Sequence, residues 1–232
     1  MARYLIIAAS SAIGQSVVEL LRTQGDEVIT TARSREKINP DFILDASDFE
    51  AVEHVFQQVG SLDGVVTCSG SLLLKSAHTT TEEEYLKTVQ ASLTTAFATV
   101  RAAGKHMTKG GSVVLIASAA ALIGLANHEA IAASKAGVIG LARSAAATYA
   151  SAHLRFNVIA PGMVKTPLTE TLLNNPMVAQ ASLGMHALGR IGAPEDIAQA
   201  IVFFLNPSNS WITGQVLAVD GGLSAVRPKL KL

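Results

Sequence analysis

The chain is predicted to be an α/β protein, a three-layer doubly wound sheet of about seven mostly parallel strands with helices on both faces. Short apolar runs rich in β-branched residues alternate with longer segments of helical periodicity along the sequence. The runs are continuously apolar, which is typical of strands buried on both faces. No repeat, low-complexity stretch or linker interrupts this alternation, so we expect residues 1–232 to form a single domain.

Composition excludes several classes of function. Of the 232 residues, 49% are hydrophobic and 16% are charged, which suits one large core. The formal net charge is zero, so no nucleic-acid or membrane partner is expected, and the basic tail at Lys229 and Lys231 is interpreted as solvated. No apolar run approaches the roughly 20 residues of a membrane span, and residues 4–9 are too few for a signal-peptide core. The single cysteine, Cys68, excludes an internal disulfide and predicts a cytoplasmic location.

The first predicted unit is a strand, a helix and a second strand. Residues 4–9 and 27–31 are its apolar runs, and the helix between them begins at a serine cap and ends at Gly25. Either Ser10 or Ser11 can provide that cap. Backbone N–H groups at the start of such a helix, together with the helix dipole, favour an anion.

The rest of the chain continues the alternation. A long helix is expected to start at Thr80 or Thr81 and to end near Met107. Its buried face is predicted, at helical spacing, as Tyr85, Val89, Leu93, Ala96 and Val100. The other predicted strands are 42–44, 62–67, 113–116, 155–159 and one within 212–222, and the other predicted helices are Phe49–Val59, 129–150 and one that opens at 190–196.

Two chemically active residues flank the loop after the strand at 113–116. Ser118 follows this strand, and Lys135 lies on the next helix. The arrangement strongly resembles the short-chain dehydrogenase/reductase family, whose signature is a serine at the end of the fifth strand and then Tyr-x-x-x-Lys at the start of a helix. Ser118 and Lys135 match this signature, whereas Ile131 stands where the family has its tyrosine. The resemblance implies a Rossmann-type fold, a nicotinamide dinucleotide, a small-molecule substrate and a homodimer or homotetramer.

The resemblance also implies where phosphate binds. The family turn Gly-x-x-x-Gly-x-Gly corresponds to residues 8–14, which keep only the last glycine. Glycine permits positive φ and close approach of the backbone to the pyrophosphate, so the added methyl groups are expected to weaken or shift the site. The residues assigned to this turn are Ala8, Ser10, Ser11, Ile13 and Gly14.

Arg33 determines which cofactor is expected. At the end of the second strand an acidic residue would accept the ribose hydroxyls of NAD, while an arginine accommodates the 2′-phosphate of NADP. No carboxylate lies between Thr30 and Arg35. NADP(H) is therefore favoured over NAD(H).

Further matches carry the resemblance across nearly the whole chain. The residues implied to contact the cofactor are Asp45 and Ala46 beside the adenine, Ser69 and Gly70 after the fourth strand, Lys135, and Pro161, Gly162, Val164 and Thr166 beside the nicotinamide and phosphates. Asp45 has an equal alternative as the cap of the helix Phe49–Val59. Residues 167–188 correspond to the family's mobile substrate lid. Cys68 stands where the family has an amide and is interpreted as a small buried hydrophobe.

The chemistry is where the sequence departs from the family. There the tyrosine donates a proton, the lysine lowers the tyrosine's pKa and binds the nicotinamide ribose, and the serine binds the substrate oxygen. Ile131 has no proton to donate, and Ser92 replaces a catalytic asparagine, although it is interpreted as an ordinary helix residue. His128, seven positions before Lys135, is the candidate replacement donor, with a loop histidine of no role as its alternative. No metal site is predicted.

Three hypotheses remain open. The favoured one is an NADP(H)-dependent oxidoreductase with altered proton-donor chemistry, which transfers hydride to a small carbonyl compound or a conjugated enone. The second is a non-catalytic NADP(H)-binding regulatory or assembly protein on the same scaffold. The third is an oligomeric scaffold that no longer binds the cofactor.

Overall fold

A computed structural model describes residues 1–227, and its centre is a sheet of seven strands that pair in parallel. The strands are β1 (Arg3–Ile7), β2 (Glu27–Ala32), β3 (Phe42–Ile43), β4 (Gly64–Thr67), β5 (Gly111–Ile116), β6 (Leu154–Pro161) and β7 (Val216–Val219). Their order across the sheet is β3-β2-β1-β4-β5-β6-β7, which confirms the predicted doubly wound fold. The predicted basic tail, Lys229 and Lys231, lies outside the described residues.

Helices cover both faces of this sheet. Within residues 1–227 they are α1 (Ala12–Thr23), α2 (Phe49–Val59), α3 (Glu82–Val89), α4 (Thr95–His106), α5 (Glu129–Thr148), α6 (Glu170–Leu173), α7 (Pro176–Met185) and α8 (Pro194–Leu205). One buried cluster joins α1 and α8 to the sheet through residues such as Val17 and Ile197. A second cluster joins α2, α4 and α5 to the opposite face through residues such as Phe56 and Val138. None of the helices described here is both long and apolar enough to cross a membrane.

Strand β1 ends two residues earlier than the sequence predicted, and Ala8 is the reason. Its φ is 60°, a left-handed conformation that ends the extended backbone. The chain then enters α1 at Ser11, whose Oγ accepts the N–H of Gly14 at 3.0 Å, so Ser11 is the cap. A left-handed alanine is strained by about 1–2 kcal/mol. The turn therefore forms although alanine itself disfavours the left-handed conformation that Ala8 adopts.

Gly14 is packed tightly beneath this turn. A Cβ on Gly14 would lie 2.9 Å from the carbonyl oxygen of Ala8 and 2.9 Å from the Cα of Ala9, and backbone atoms cannot rotate away. We expect Gly14→Ala to lower the free energy of unfolding by about 1–3 kcal/mol, as overpacking does. Urea denaturation measures the change, and Gly140→Ala is the control because its Cβ would have no neighbour within 4 Å. Equal effects of both substitutions would contradict this account.

The predicted long helix is interrupted at its middle. α3 begins as expected, with Thr81 and Glu84 in a capping box, but Gln90–Thr94 form a π-helical turn before α4. A π turn carries more residues than an α turn, so a spacing followed through it does not mark one face. The predicted buried face is wrong at Tyr85, whose side chain is 45% exposed. The segment instead buries small polar side chains, including Thr88, Ser92, Thr95 and Thr99.

Candidate functional site

A cleft of about 650 Å³ follows the edge of the sheet where the strands end. It lies outside the carboxyl ends of β1 to β6, across the point where the strand order reverses, which is where ligands bind in doubly wound sheets. The predicted site residues that line it are Ala8, Ser10, Ser11, Ile13, Arg33, Asp45, Ala46, Ser69, Gly70, Ser118, Lys135, Pro161, Gly162, Val164 and Thr166. Gly14 and His128 are predicted site residues outside this lining.

The start of α1 forms the wall beside β1. Ala12 and Ile13, in the first turn of the helix, line the cleft together with the two serines before them. The amino-terminal end of a helix dipole favours negative charge, so this wall suits an anion. Gly14 packs under the turn and donates its N–H to Ser11, which supports the shape of this wall from behind.

Two cationic side chains stand near the end of β2. Arg33 directly follows this strand, and Lys37 lies in the loop that leads to β3. Both line the cleft. Lys37 was missed by sequence reasoning, because a lone lysine in a loop belongs to no pattern.

Asp45 lines the cleft and does not cap a helix. Its Oδ1 accepts the N–H and the hydroxyl of Ser47, at 2.9 and 2.8 Å. These two bonds, and then the charge of Arg33, lower the pKa of Asp45. Asp48 caps α2 by accepting the N–H groups of Glu50 and Ala51, so the alternative interpretation of Asp45 is wrong.

The polar centre of the cleft consists of Ser118 and Lys135. Ser118 Oγ accepts the N–H of Ala120 at 3.2 Å, which leaves the hydroxyl proton free to be donated elsewhere. Lys135 Nζ donates to the carbonyl oxygen of Ile116 at 2.8 Å. The lysine is only 5% exposed, and burial lowers its pKa to about 8.

Ile131 lies on the same face of α5, one turn before Lys135, and is 3% exposed. It lines the cleft with hydrocarbon beside the two polar groups. His128 is not brought to this place. It precedes the first residue of α5, and its Nδ1 lies 2.7 Å from the carbonyl oxygen of Ala126 in its own loop. His128 therefore does not line the cleft in which its predicted role as a proton donor would place it.

The end of β4 supplies small polar and apolar groups to the opposite wall. Cys68 is 9% exposed, and burial raises the pKa of its thiol to about 12, as suits a small hydrophobe. Ser69 Oγ donates to Thr95 Oγ1 at 2.7 Å, and both residues line the cleft. Thr95 was not predicted as a site residue, because the π turn shifts the helical phase and the sequence spacing therefore does not show which face Thr95 occupies. Ser92 is buried away from the cleft lining, and its hydroxyl has no partner among the described residues.

The segment 167–188 begins at the cleft wall. Pro167, Leu168 and Thr169 line the cleft, and the chain then forms α6 and α7. α7 starts inside this segment, where Asn175 Oδ1 accepts the N–H of Met177 and Pro176 is the first helical residue. Within residues 1–227, no group of three His, Cys, Asp or Glu side chains is arranged to hold a metal ion.

Comparisons with known proteins point to one family. A family model described as Enoyl-(Acyl carrier protein) reductase matches residues 7–224. The 3-oxoacyl-[acyl-carrier-protein] reductase FabG of Thermotoga maritima is 32% identical over 94% of this chain and 96% of its own length. A tropinone reductase homolog of Arabidopsis thaliana is 31% identical over 95% and 91%.

Solved structures agree in fold. A short-chain type dehydrogenase/reductase from Mycobacterium ulcerans superposes with a TM-score of 0.91 at 26% identity, covering 98% of this chain and 91% of that one. The structure described as ElxO with NADP bound has a TM-score of 0.89 at 26% identity, covering 96% and 99%.

Proposed function

Because the chain belongs to the short-chain dehydrogenase/reductase family, we propose that it is an NADP(H)-dependent oxidoreductase that lacks the family's tyrosine donor. We assign it a small carbonyl compound or a conjugated enone as substrate, and a homodimer or homotetramer as its assembly. The observation that carries the proposal is that one cleft gathers Ser118, Lys135 and Arg33 at the carboxyl edge of the sheet. Fold alone would not support this activity, because the same architecture hosts unrelated functions.

The residues of the cleft suit NADP(H). The first turn of α1 offers backbone N–H groups to a pyrophosphate, and Arg33 and Lys37 offer two cations to a 2′-phosphate. We assign Asp45 and Ala46 to the adenine end, and Gly162, Val164 and Thr166 to the nicotinamide end. A Cβ on Gly162 would lie 2.9 Å from the Cα of Asp220, so glycine lets this loop pack closely against the chain that follows β7, on the side away from the cleft. The NADP in a structure similar to this chain adds support.

We assign the remaining roles residue by residue. Bound NADPH would supply the hydride. Ser118 would donate a hydrogen bond from its hydroxyl to the oxygen of the substrate, and Lys135 would hold the ribose next to the nicotinamide. Ile131 would occupy the tyrosine's place and exclude water there without donating a proton. Losing a positioned general acid typically costs about 10²–10⁴ in rate, so the protein's own chemistry must differ from that of a standard carbonyl reductase.

Because the tyrosine donor is absent, we also consider a second candidate function. Ile131 in the cleft, and a Ser92 hydroxyl that has no partner within residues 1–227, favour a protein that binds NADP(H) without catalysis. Calorimetric titration with NADPH, followed by assays on small ketones and on conjugated enones, separates the candidates. Turnover of either substrate class supports the oxidoreductase, and tight binding without turnover supports the binding protein. Calorimetry is preferable to tryptophan fluorescence because Trp211 is 98% exposed and does not line the cleft.

Arg33 provides the test of cofactor choice. Its guanidinium can pair with a 2′-phosphate through two N–H groups, and hydrogen bonds to charged groups contribute roughly 1.5–3 kcal/mol. We expect Arg33→Ala to weaken NADPH binding by about tenfold or more and to leave NADH binding unchanged. Arg35→Ala is the matched control, because Arg35 binds Asn39 and does not line the cleft. An unchanged ratio of the two affinities in Arg33→Ala would refute the NADP assignment.

A further inference from the structure

His186 is a buried histidine whose two ring nitrogens both have partners. It directly follows α7 and is 3% exposed. Nδ1 lies 2.6 Å from the carbonyl oxygen of Ser182, and Nε2 lies 3.1 Å from the backbone nitrogen of Met163. A carbonyl can only accept and a backbone N–H can only donate, so Nδ1 carries the proton and Nε2 is an acceptor. These two bonds therefore fix the ring in one tautomer and one orientation.

These two bonds join α7 to the loop that follows β6. Gly162, just before Met163, makes the contact possible, since a Cβ there would lie 2.8 Å from Nε2. His186 does not line the cleft itself, but Pro161, Gly162 and Val164 do. The ring thus holds the loop from behind, on the side away from the cleft.

The other bonds of the loop show what the ring controls. Gly162 N–H donates to Val219 at 3.1 Å, and the carbonyl of Met163 accepts the N–H of Gly192 at 2.9 Å. The Met163 N–H is held by a side chain instead of by the sheet. The next N–H along, that of Val164, has no partner in the described part of the chain and adjoins the cleft. The orientation of the peptide between Gly162 and Met163 therefore depends on His186.

We propose that His186 is a positioning residue, which sets the loop 161–164 to receive the nicotinamide half of the cofactor. This inference rests on the proposed function, because it presupposes that NADP(H) occupies the cleft. It predicts that the ring matters for the nicotinamide half and not for the adenosine half, which binds near Arg33 at the other end of the sheet. It also predicts different roles for the two ring nitrogens. Loss of the bond from Met163 N–H to Nε2 should weaken NADPH binding, whereas loss of the bond at Nδ1 should not.

Two substitutions distinguish the nitrogens. His186→Gln places an acceptor near the position of Nε2, and His186→Asn keeps a donor near Nδ1 but cannot reach Met163. Calorimetry would measure the affinity of each variant for NADPH and for adenosine 2′,5′-bisphosphate, which lacks nicotinamide. We expect His186→Asn to weaken NADPH binding by about five- to tenfold, which lies within the range for one hydrogen bond, and to leave the bisphosphate affinity unchanged. His186→Gln should restore most of the NADPH affinity.

A measurement on the wild-type protein does not depend on either variant folding. Hydrogen exchange, resolved to the peptide that covers 161–166, should slow when NADPH binds but not when the bisphosphate binds. Unchanged exchange with NADPH, or equal losses of both affinities in His186→Asn, would overturn the positioning role and leave the proposed function standing. A wild-type protein that binds neither NADPH nor the bisphosphate would overturn both.

Discussion

Ile131→Tyr is expected to raise NADPH-dependent reduction of small ketones by about 10²-fold, the low end of what a positioned general acid supplies. Ile131 lines the cleft one turn before Lys135 on the same face of α5, and Ser118 lines the same cleft. A phenol at position 131 would stand where the family has its proton donor. The serine and the lysine that match the family signature would both be present beside it. The ammonium of Lys135 would favour the phenolate and so lower the phenol's pKa toward the working range.

Two features limit the expected gain in reduction rate to the low end of what a general acid supplies. Ile131 is 3% exposed, so the larger ring must be accommodated by its neighbours, and overpacking typically costs about 1–3 kcal/mol of stability. Ser92 also has a shorter side chain than the family's asparagine, and its hydroxyl does not reach the cleft lining.

Ile131→Phe is the matched control, because it adds the ring without the hydroxyl. Initial rates with NADPH would be compared for the wild type and both variants, on small ketones and diketones, and for the wild type on conjugated enones. A rise in Ile131→Tyr alone supports the assignment of position 131. Equal rates in the two variants, with NADPH binding confirmed, would sink the idea that a donor is all that is missing. Wild-type turnover of enones but not ketones would favour reduction of a C=C bond.

Lys135→Met is expected to stabilise the protein while weakening NADPH binding by about tenfold or more. Burial lowers the pKa of Lys135 to about 8, and a shift of this size corresponds to about 3 kcal/mol that opposes folding at neutral pH. The substitution removes that penalty but also loses the bond from Nζ to the carbonyl of Ile116. The expected net gain is about 1–2 kcal/mol. A methionine stem fills a similar volume without the charge.

The sign of the pH dependence follows from the direction of this shift. Below about pH 8 both folded and unfolded chains carry the lysine proton, and the full penalty of burial applies. Between about 8 and 10.5 the folded protein releases its proton while the unfolded chain keeps it. The contribution of Lys135 to the free energy of unfolding therefore becomes less unfavourable as pH rises through this window.

Urea denaturation of the wild type and Lys135→Met, at pH 7 and at intervals up to pH 10, tests this expectation. Tyr4, whose pKa burial raises to about 12, is present in both proteins and cancels in the difference. The pKa of Cys68, which burial raises to about 12, is also influenced by the charge of Lys135, so the difference reports Lys135 together with its effect on Cys68. The gain from Lys135→Met should shrink as pH rises. A difference that is constant with pH would show that the lysine is not the titrating group.

Helices and strands whose bounds are set by residues close in the sequence were predictable. α2 has the predicted bounds, Phe49–Val59, because Asp48 caps it and its apolar residues follow one helical period. The π turn was not predictable, since the residues at 90–94 carry no signal of it, and the exposed position of Tyr85 follows from it. The early end of β1 was also missed, because a left-handed alanine is held by packing around Gly14 and not by its own preference.

The candidate site divides in the same way. Residues that match a motif, such as Ser118, Lys135 and Arg33, were predicted and lie in one cleft. Lys37 and Thr95 join them only through the fold, because neither belongs to a motif. His186 lies 23 residues from Met163, and no sequence pattern predicts their contact. Contacts between distant segments are the part that only the structure supplies.

The π turn at Gln90–Thr94 amounts to one residue inserted into a helix that would otherwise run straight from Glu82 to His106. One residue corresponds to a rotation of about 100° around the helix axis. The halves on either side of the insertion are therefore out of phase, and a change of chain length there turns one half against the other. Deleting one residue in this turn would rotate the helix that starts at Glu82 against α4, whose Thr95 lines the cleft. Evolution can thus re-aim this wall by length alone, without replacing any side chain that forms it.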